Sequence, residues 1–590
     1  MNLLLHCTTA APLLLRSLAA VSLSATLAAC ATLPEGAEEP LEEVEITAVE
    51  SQPEPVEVEY GNFTEEQLYQ AIISEIGAKR GQVKDAGENY FDLAFETRDM
   101  AIVERALQFA LVANDVNALL QLGLLWAEIR PENPRPHLML SFQFLESGAF
   151  EQALSHMARV IDLGGSIDFS TLATRTGRLD PQGRAELIDN LRQLVREFPQ
   201  QESIHIALIQ LLGQSGEPES ALQELNSLKD RFELRASVVV LEAQLLQNLD
   251  RGDAVMRTLR IGVRNFETDR ALRLTFARFL IQSEEYADAI EQFEILVEQD
   301  PEDWETYYSI ALLDMEIDDY DSAIGRFTRL IGVDQHVDES QYYLGLIYQE
   351  SNQLEKAIGH YRQVRIGTDN FLSAQQQATR FSVQLGELED AHAWLSRLAR
   401  GQPRLDVLFI TIESSALIQA GYGDEALELL NTGLNNYPNE ADLLFARVLY
   451  HDSIQNREGS ERDLRQIIQM QPEDSRALNH LGYMLADQSS RFDEALELLQ
   501  RAIAIAPDDA AIIDSLAWVQ YKLGQYEAAL TNLRRAFVAF PDHEVASHLG
   551  EVLWVMGRRD EALQVWEDAL ETTPDSELIK EAMERLRSQS

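Results

Sequence analysis

Small or apolar residues recur in this chain every 34 residues, and this spacing constrains the fold more than any other feature. The positions that keep the spacing without a slip are Ala153, Leu187, Ala221, Val255, Ala289, Ala323, Ala357 and Ala391. With slips of one residue the series continues through Ala426, Ser460, Ala495, Ala529 and Ala562. A fixed period of this length is typical of chains that stack one supersecondary unit many times. Such a stack presents an extended surface, so the expected function is binding.

The segment from Ala510 to Pro541 shows what one period encodes. Leu516 and Ala517 place a large and a small residue side by side in a first helix, and Ala529 follows in the second helix. Pro541 ends the unit, because proline lacks the amide hydrogen that a helix interior needs. Neighbouring units repeat the pattern, and the residues predicted to form the repeat core are Ala289, Ala323, Ala357, Gly482, Ala495, Ala529, Gly550, Ala562 and Trp566.

This alternation of large and small residues resembles the tetratricopeptide repeat. The resemblance implies an all-α superhelical solenoid of about 11 to 13 helical hairpins, with little or no sheet. The pattern is regular over residues 201–590 and weaker over residues 63–200, where residues 164–183 interrupt it. We therefore expect irregular helical repeats or an N-terminal cap before residue 201. A four-helix bundle or a coiled coil would also give apolar stripes, but neither needs this period.

The first 29 residues have the composition of a bacterial signal peptide. An apolar run over residues 13–29 ends in Leu27-Ala28-Ala29-Cys30, which resembles the lipobox of lipoproteins. The resemblance implies cleavage before Cys30 and acylation of its thiol and amine, which gives a stable membrane anchor. Because Ala31 follows Cys30, and not the aspartate that favours inner-membrane retention, we expect an outer-membrane protein that faces the periplasm. An ordinary secretory signal that ends in alanines is the alternative.

Residues 31–60 contain ten Glu and four Pro but neither Lys nor Arg. A segment of this composition cannot bury a core, so we expect a disordered, lipidated tether over residues 30–62. The formal net charge of the whole chain is −50. Removing the leader takes away one Arg and removing the tether takes away ten Glu, which leaves about −41 on the helical body.

The acidic charge argues against nucleic acid as a partner, because phosphate contacts need Lys and Arg. It also disfavours contact with anionic lipid, so the lipid anchor is the only expected link to the membrane. Three explanations of the charge stay open. In a salt-tolerant source organism the salt of the medium would screen the self-repulsion, a basic protein partner would be attracted by the charge, or the charge serves solubility in general.

We expect no enzyme activity, no cofactor and no metal site. His543-Glu544 with His548 resembles a zinc protease motif, but the two histidines are five residues apart where that motif needs four. No phosphate-binding loop or nucleophile elbow is complete. With 98 acidic residues, chance pairs of carboxylates carry no weight for acid–base catalysis.

In tetratricopeptide solenoids the first helices line a groove that holds the partner. Transferred to this sequence, that property gives the predicted groove residues Tyr308, Tyr342, Arg476, Asn479, Tyr483, Asp514, Trp518, Tyr521, Glu544, Glu551 and Trp554. Aromatic side chains beside polar groups are typical of protein-binding surfaces. For Trp518 and Trp554, simple packing between repeats is the alternative, whereas Trp566 occupies a core position.

The last hundred residues resemble proteobacterial tetratricopeptide lipoproteins through Asp514-Ser515-Leu516-Ala517-Trp518 and the later run from His548 to Ala562. This group includes an outer-membrane adaptor that binds a periplasmic carboxyl-terminal processing protease and brings it cell-wall hydrolases. The resemblance implies a lipid-anchored scaffold with protein partners of that kind. An adaptor for envelope assembly, polysaccharide export or secretion is the alternative function.

Overall fold

The structure is a computed structural model that describes residues 63–588, so the predicted leader, Cys30 and the tether lie outside the described residues. Over the described range the chain forms 31 α-helices and no β-strand. Helices α1 to α16 are Glu65–Lys79, Val83–Thr97, Met100–Ala113, Val116–Ile129, Pro134–Glu146, Phe150–Asp162, Ser170–Arg175, Pro181–Glu197, Glu202–Gln214, Pro218–Lys229, Ala236–Gln247, Gly252–Asn265, Arg270–Gln282, Tyr286–Gln299, Trp304–Glu316 and Tyr320–Gly332. Helices α17 to α31 are Val337–Glu350, Leu354–Tyr361, Phe371–Gln384, Leu388–Leu398, Pro403–Gln419, Gly423–Asn436, Ala441–Ser453, Arg457–Met470, Ser475–Gln488, Phe492–Ile505, Ala510–Lys522, Tyr526–Ala539, His543–Val555, Arg559–Thr572 and Glu577–Ser588.

The chain divides into two compact units, one ending at Arg326 and the other beginning at Phe327. Within each unit, consecutive helices pair as hairpins, and each hairpin packs on the next. The all-α solenoid predicted from the 34-residue period is therefore confirmed. None of the helices in residues 63–588 combines the length and apolar character that a membrane span needs.

Small residues allow the two helices of a hairpin to approach closely. At Gly482 an added Cβ would lie 2.6 Å from Leu499 Cγ, and at Gly345 it would lie 2.6 Å from the ring of Tyr361. An added Cβ at Gly550 would likewise overlap the indole of Trp566. The alanines predicted for the repeat core are completely buried, and they are Ala289, Ala323, Ala357, Ala495, Ala529 and Ala562. Trp566 is completely buried too.

Aspartates begin many of the first helices. Asp303, Asp474, Asp509 and Asp542 each precede a first helix, and each side chain accepts a hydrogen bond from a backbone amide of the first turn. This satisfies amide groups that have no partner inside the helix and places negative charge at the positive end of the helix dipole. The chain therefore marks the start of these helices as clearly as proline marks the end of the helices before them.

The region where the sequence period is interrupted has a different local structure. Between α6 and α8 the chain forms only the six-residue helix α7 and a short 3-10 turn at Thr176–Arg178. Phe169 and Leu172 are completely buried there, so the segment adds to the core of the first unit although it is not a full hairpin. The domain boundary proposed at residue 200 stays a prediction.

Candidate protein-binding face of the C-terminal repeats

Four helices of the second unit form a row in which each contacts the next: α25, α27, α29 and α31. Helices α25, α27 and α29 are the first helices of consecutive hairpins. The repeat register brings polar and aromatic side chains from these three helices together. We call this group the acid–aromatic cluster, and its members are Tyr483, Asp487, Asp514, Trp518, Tyr521, Glu544, His548 and Glu551. Six of the predicted groove residues therefore come together.

His548 lies at the centre of the acid–aromatic cluster. Its ring stacks on Trp518 with centroids 4.1 Å apart, and its Nδ1 lies 2.9 Å from the Asp514 carboxylate. Burial alone lowers the pKa of a histidine. Here the carboxylate of Asp514, helped by Glu544 and Glu551, outweighs burial and raises the pKa of His548 above its ordinary value. The imidazole therefore favours the charged form, held between an acid and an indole.

Glu551 is the second paired carboxylate of the cluster. It is almost completely buried and accepts hydrogen bonds from the guanidinium of Arg585 on α31, the shorter at 2.5 Å. It also accepts a hydrogen bond of 3.0 Å from the hydroxyl of Tyr521. Burial, with the carboxylate of Glu551 beside it, raises the pKa of Tyr521. The hydrogen bond to Glu551 raises the pKa of Arg585. Hydrogen bonds therefore link α31 to α29 through Arg585 and Glu551, and Glu551 in turn links to α27 through Tyr521.

Contacts around Trp518 span three repeats. Its Nε1 donates to Asp487 Oδ1 over 3.4 Å, and the ammonium of Lys522 lies 4.2 Å from the centre of its ring. The hydroxyl of Tyr483 donates to Glu544 over 3.2 Å. Trp518 is only 5% exposed, so it packs between repeats, and a direct contact with a partner stays a prediction.

The other predicted groove residues of the second unit lie outside the cluster. Trp554 lies 5.9 Å from Trp566, ring centre to ring centre, and the guanidinium of Arg559 sits 5.0 Å from the ring of Trp554. Arg476 pairs with Asp442 and Asp474.

The remaining three predicted residues lie away from these contacts. Asn479 has a buried side-chain oxygen without a hydrogen-bond partner among the described residues. Tyr342 packs against Tyr343 and Tyr361. Tyr308 belongs to the first unit, where it is buried in α15.

The histidines of the zinc-like motif have separate partners. His543 lies 3.0 Å from the hydroxyl of Ser576, whereas His548 is paired with Asp514. Over residues 63–588 there is no group of three or more His, Cys, Asp or Glu that could hold a metal ion. His548 and Asp514 form an ion pair between repeats.

Sequence reasoning missed His548, Asp487 and Arg585 as members of this face. A signal was present for His548 and Arg585, because complementary residues are separated by one period of 34 residues in the pairs Asp514 with His548 and Glu551 with Arg585. The pair Asp442 with Arg476 has the same separation. A search for opposite charges at the repeat spacing would have found all three pairs.

Family models described as tetratricopeptide repeat match residues 308–371, 445–510, 486–548 and 520–586. The "TPR repeat-containing protein PA4667" of Pseudomonas aeruginosa is 33% identical to this chain over 538 residues, which cover 91% of this chain and 90% of the relative. The chain belongs to the tetratricopeptide repeat proteins. Because these repeats bind proteins, family membership indicates protein partners for this chain.

Other similarities are more limited. "Small glutamine-rich tetratricopeptide repeat-containing protein 2" of Mycosarcoma maydis is 24% identical over 131 residues, which cover 22% of this chain and 35% of that protein. Among solved structures, "Structure of Naa15/Naa10 bound to HypK-THB" shares 14% identity over 67% of each chain, with a TM-score of 0.38. The thermophilic TPR protein TTC0263 of Thermus thermophilus shares 22% identity over 31% of this chain and 97% of its own, with a TM-score of 0.27.

Proposed function

We propose that this tetratricopeptide repeat protein is a lipid-anchored scaffold that binds other proteins in the bacterial envelope. The lipobox at Cys30 supports the anchor, and the acidic segment after it supports a tether that lets the repeats reach partners away from the membrane. The matched repeats support protein binding as the activity.

The observation that carries this proposal is the acid–aromatic cluster. Side chains from three consecutive first helices hold one another there through hydrogen bonds and ring stacking, so the face is ordered before any partner arrives. A pre-organised face loses little conformational entropy when it binds. Asp487, the exposed carboxylate of the cluster, and the net charge of −50 on the whole chain favour a partner that presents basic side chains.

The proposed partners are a carboxyl-terminal processing protease and the cell-wall hydrolases that it degrades. Their support is the resemblance of residues 514–562 to adaptor lipoproteins. A scaffold that holds protease and substrate together turns a bimolecular encounter into a local one, which raises the rate without any chemistry on the scaffold itself.

The test is a reconstituted proteolysis assay. The full chain is placed in lipid vesicles with the processing protease and one wall hydrolase from the same organism, and the initial rate of hydrolase cleavage is measured. We expect the chain to accelerate cleavage by about tenfold or more, as effective concentration allows. No acceleration would overturn the protease role and would favour the alternative adaptor for envelope assembly, polysaccharide export or secretion.

A matched pair of variants locates the effect. The double variant Asp487→Asn with Glu544→Gln neutralises two carboxylates of the cluster, and it should reduce the acceleration. Asp560→Asn with Glu567→Gln removes the same charge from exposed positions on α30 and should leave the acceleration unchanged. Equal losses in both variants would show that only total charge matters.

A further inference from the structure

Helix α1 turns its apolar side away from its own unit. The five side chains concerned are Leu68, 54% exposed, Tyr69, 60%, Ile72, 50%, Ile73, 42%, and Ile76, 44%. With 3.6 residues per turn, they share an arc of about 140° on one face of the helix. We call these five residues the α1 stripe.

The opposite side of α1 faces the unit and is made of small and polar residues. Ser74 is buried there, and Ala71 and Ala78 pack against the neighbouring core. Glu75, at the edge of this side, accepts hydrogen bonds from Tyr90 on α2 and Arg105 on α3. These contacts fix the rotation of the helix, so the α1 stripe cannot turn inward without breaking them.

An exposed apolar stripe is unexpected on α1, the first described helix. Helix surfaces that face water are normally polar, as solubility requires. The stripe leaves on the order of 400 Å² of apolar surface open, which is the size of the largest patches on typical monomers, and such patches are often functional. The α1 stripe is therefore a candidate contact surface.

Charges at the two ends of the stripe specify the partner. Glu65 and Glu66 precede it and Lys79 and Arg80 follow it, and all four are exposed. None of the four forms an ion pair within residues 63–588. A second copy laid antiparallel across a two-fold axis at Ile72 and Ile73 places Glu65 beside Arg80 and Glu66 beside Lys79, at both ends of the pair.

We propose that two copies of this chain associate through antiparallel pairing of their α1 stripes. A parallel pair would place glutamates against glutamates. On an anionic membrane surface, attraction of Lys79 and Arg80 would be offset by repulsion of Glu65 and Glu66, and the acidic remainder of the chain would be repelled as well. The face is smaller than the roughly 800 Å² per partner of a standard interface, so the association is weak and depends on concentration.

The test uses disulfide cross-linking of the full chain in cell envelopes. Ile72→Cys and Ile73→Cys place a thiol near the two-fold axis, and each single variant should give an oxidised species of twice the chain's mass. The controls are the parent chain, which reports any linkage through its own two cysteines, and Glu88→Cys, which is exposed on α2 away from the stripe. Failure of both axis variants to exceed these controls would overturn the proposal.

Mixed variants determine the direction of pairing. Glu66→Cys and Lys79→Cys should cross-link when the two chains are co-expressed and not when either is expressed alone. Linkage of each variant to itself would indicate a parallel pair and contradict the proposal. A cross-linked product of another mass would identify a different protein on the stripe, with the same consequence.

A charge-reversal series completes the test without relying on cysteines. Glu65→Lys with Glu66→Lys should abolish the dimer, and adding Lys79→Glu with Arg80→Glu in the same chain should restore it. These residues are exposed, so the melting temperature of all variants should be that of the parent chain. A fluorophore on Ile72→Cys that is quenched by spin-labelled lipid, in the absence of dimer, would assign the stripe to the membrane and overturn self-pairing.

Discussion

His548 and Asp514 are 34 residues apart in the chain, and the histidine Nδ1 lies 2.9 Å from the aspartate carboxylate. The separation equals one repeat, so the pair joins equivalent helices of consecutive hairpins. Glu551 and Arg585 repeat the relationship one step further along. The period that stacks small and large apolar residues therefore also aligns opposite charges, and these pairs hold the first helices in register.

The pair makes stability depend on pH. Because the pKa of folded His548 is raised above the ordinary histidine value of about 6.5, its charged form stabilises the folded state below that pH, and this contribution is lost as pH rises through the folded pKa. We therefore expect the difference in unfolding free energy between the parent chain and His548→Gln to shrink from pH 6 to pH 9. Chemical denaturation at several pH values measures it, and a difference that grows with pH would contradict the assignment.

Removal of the partner should reverse the pKa shift. In Asp514→Asn the carboxylate that outweighs burial is gone, so the pKa of His548 should fall. Titration of the imidazole resonances by NMR checks this directly. His137 is a control, because its pKa is lowered by burial in the first unit and should not change. An unaltered His548 titration would show that Asp514 does not set its charge.

The buried carboxylate of Glu551 depends on Arg585. Arg585→Met leaves the buried Glu551 without its cation, and we expect a loss of about 1 to 3 kcal/mol in unfolding free energy, because Glu551 is buried although the Arg585 side chain is half exposed. The control Arg534→Met breaks a pair with Glu561 in which both side chains are half exposed, and it should change stability by less than about 1 kcal/mol. Equal effects would mean that burial of Glu551 does not matter.

The repeat register predicts opposite outcomes at adjacent alanines. Ala529 is completely buried between helices and Ala528 is exposed on the same helix. Ala529→Asp buries a charge and should destabilise the second unit by several kcal/mol, roughly 3 or more. Ala528→Asp should leave the melting temperature almost unchanged. Similar melting curves for the two variants would show that the register is wrong.

Glycine at the helix crossing is a steric requirement. In Gly550→Ala the new methyl group overlaps the indole of Trp566, so we expect destabilisation of about 1 to 3 kcal/mol. Gly359 also lies within a helix but has open space around it, so Gly359→Ala should stabilise by about 0.5 to 1 kcal/mol. Denaturant unfolding of both variants measures the two signs, and a neutral Gly550→Ala would rule out the close approach.

The sequence predicted the fold well because the signal repeats. Most copies of the period carry alanine at the helix crossing, as at Ala529 and Ala562, so exceptions such as Leu187 and Val255 do not obscure the pattern. The acid–aromatic cluster was only partly predictable. Its aromatic members follow from position in the repeat, but the roles of His548 and Arg585 depend on side-chain directions across two repeats.

Helix α1 is a second feature that could not be predicted from the sequence. Its residues alternate with a helical period, and such a pattern alone favours burial of the apolar face. The structure buries the opposite side, because Glu75 is held by Tyr90 and Arg105 and because Ser74, Ala71 and Ala78 fit closely against the next helices. Which face of α1 points inward depends on these tertiary contacts and not on periodicity.

Photo-cross-linking in living cells tests most directly whether the surface formed by the first helices of the second unit binds the partner. A benzophenone amino acid is placed at Arg476 or Tyr521 on first helices, and at Val538 on the outer surface of α28, where the side chain is 86% exposed. We expect cross-links to a processing protease or its hydrolase substrates from the first-helix positions and none from Val538. Cross-links to those proteins from Val538 alone would contradict it.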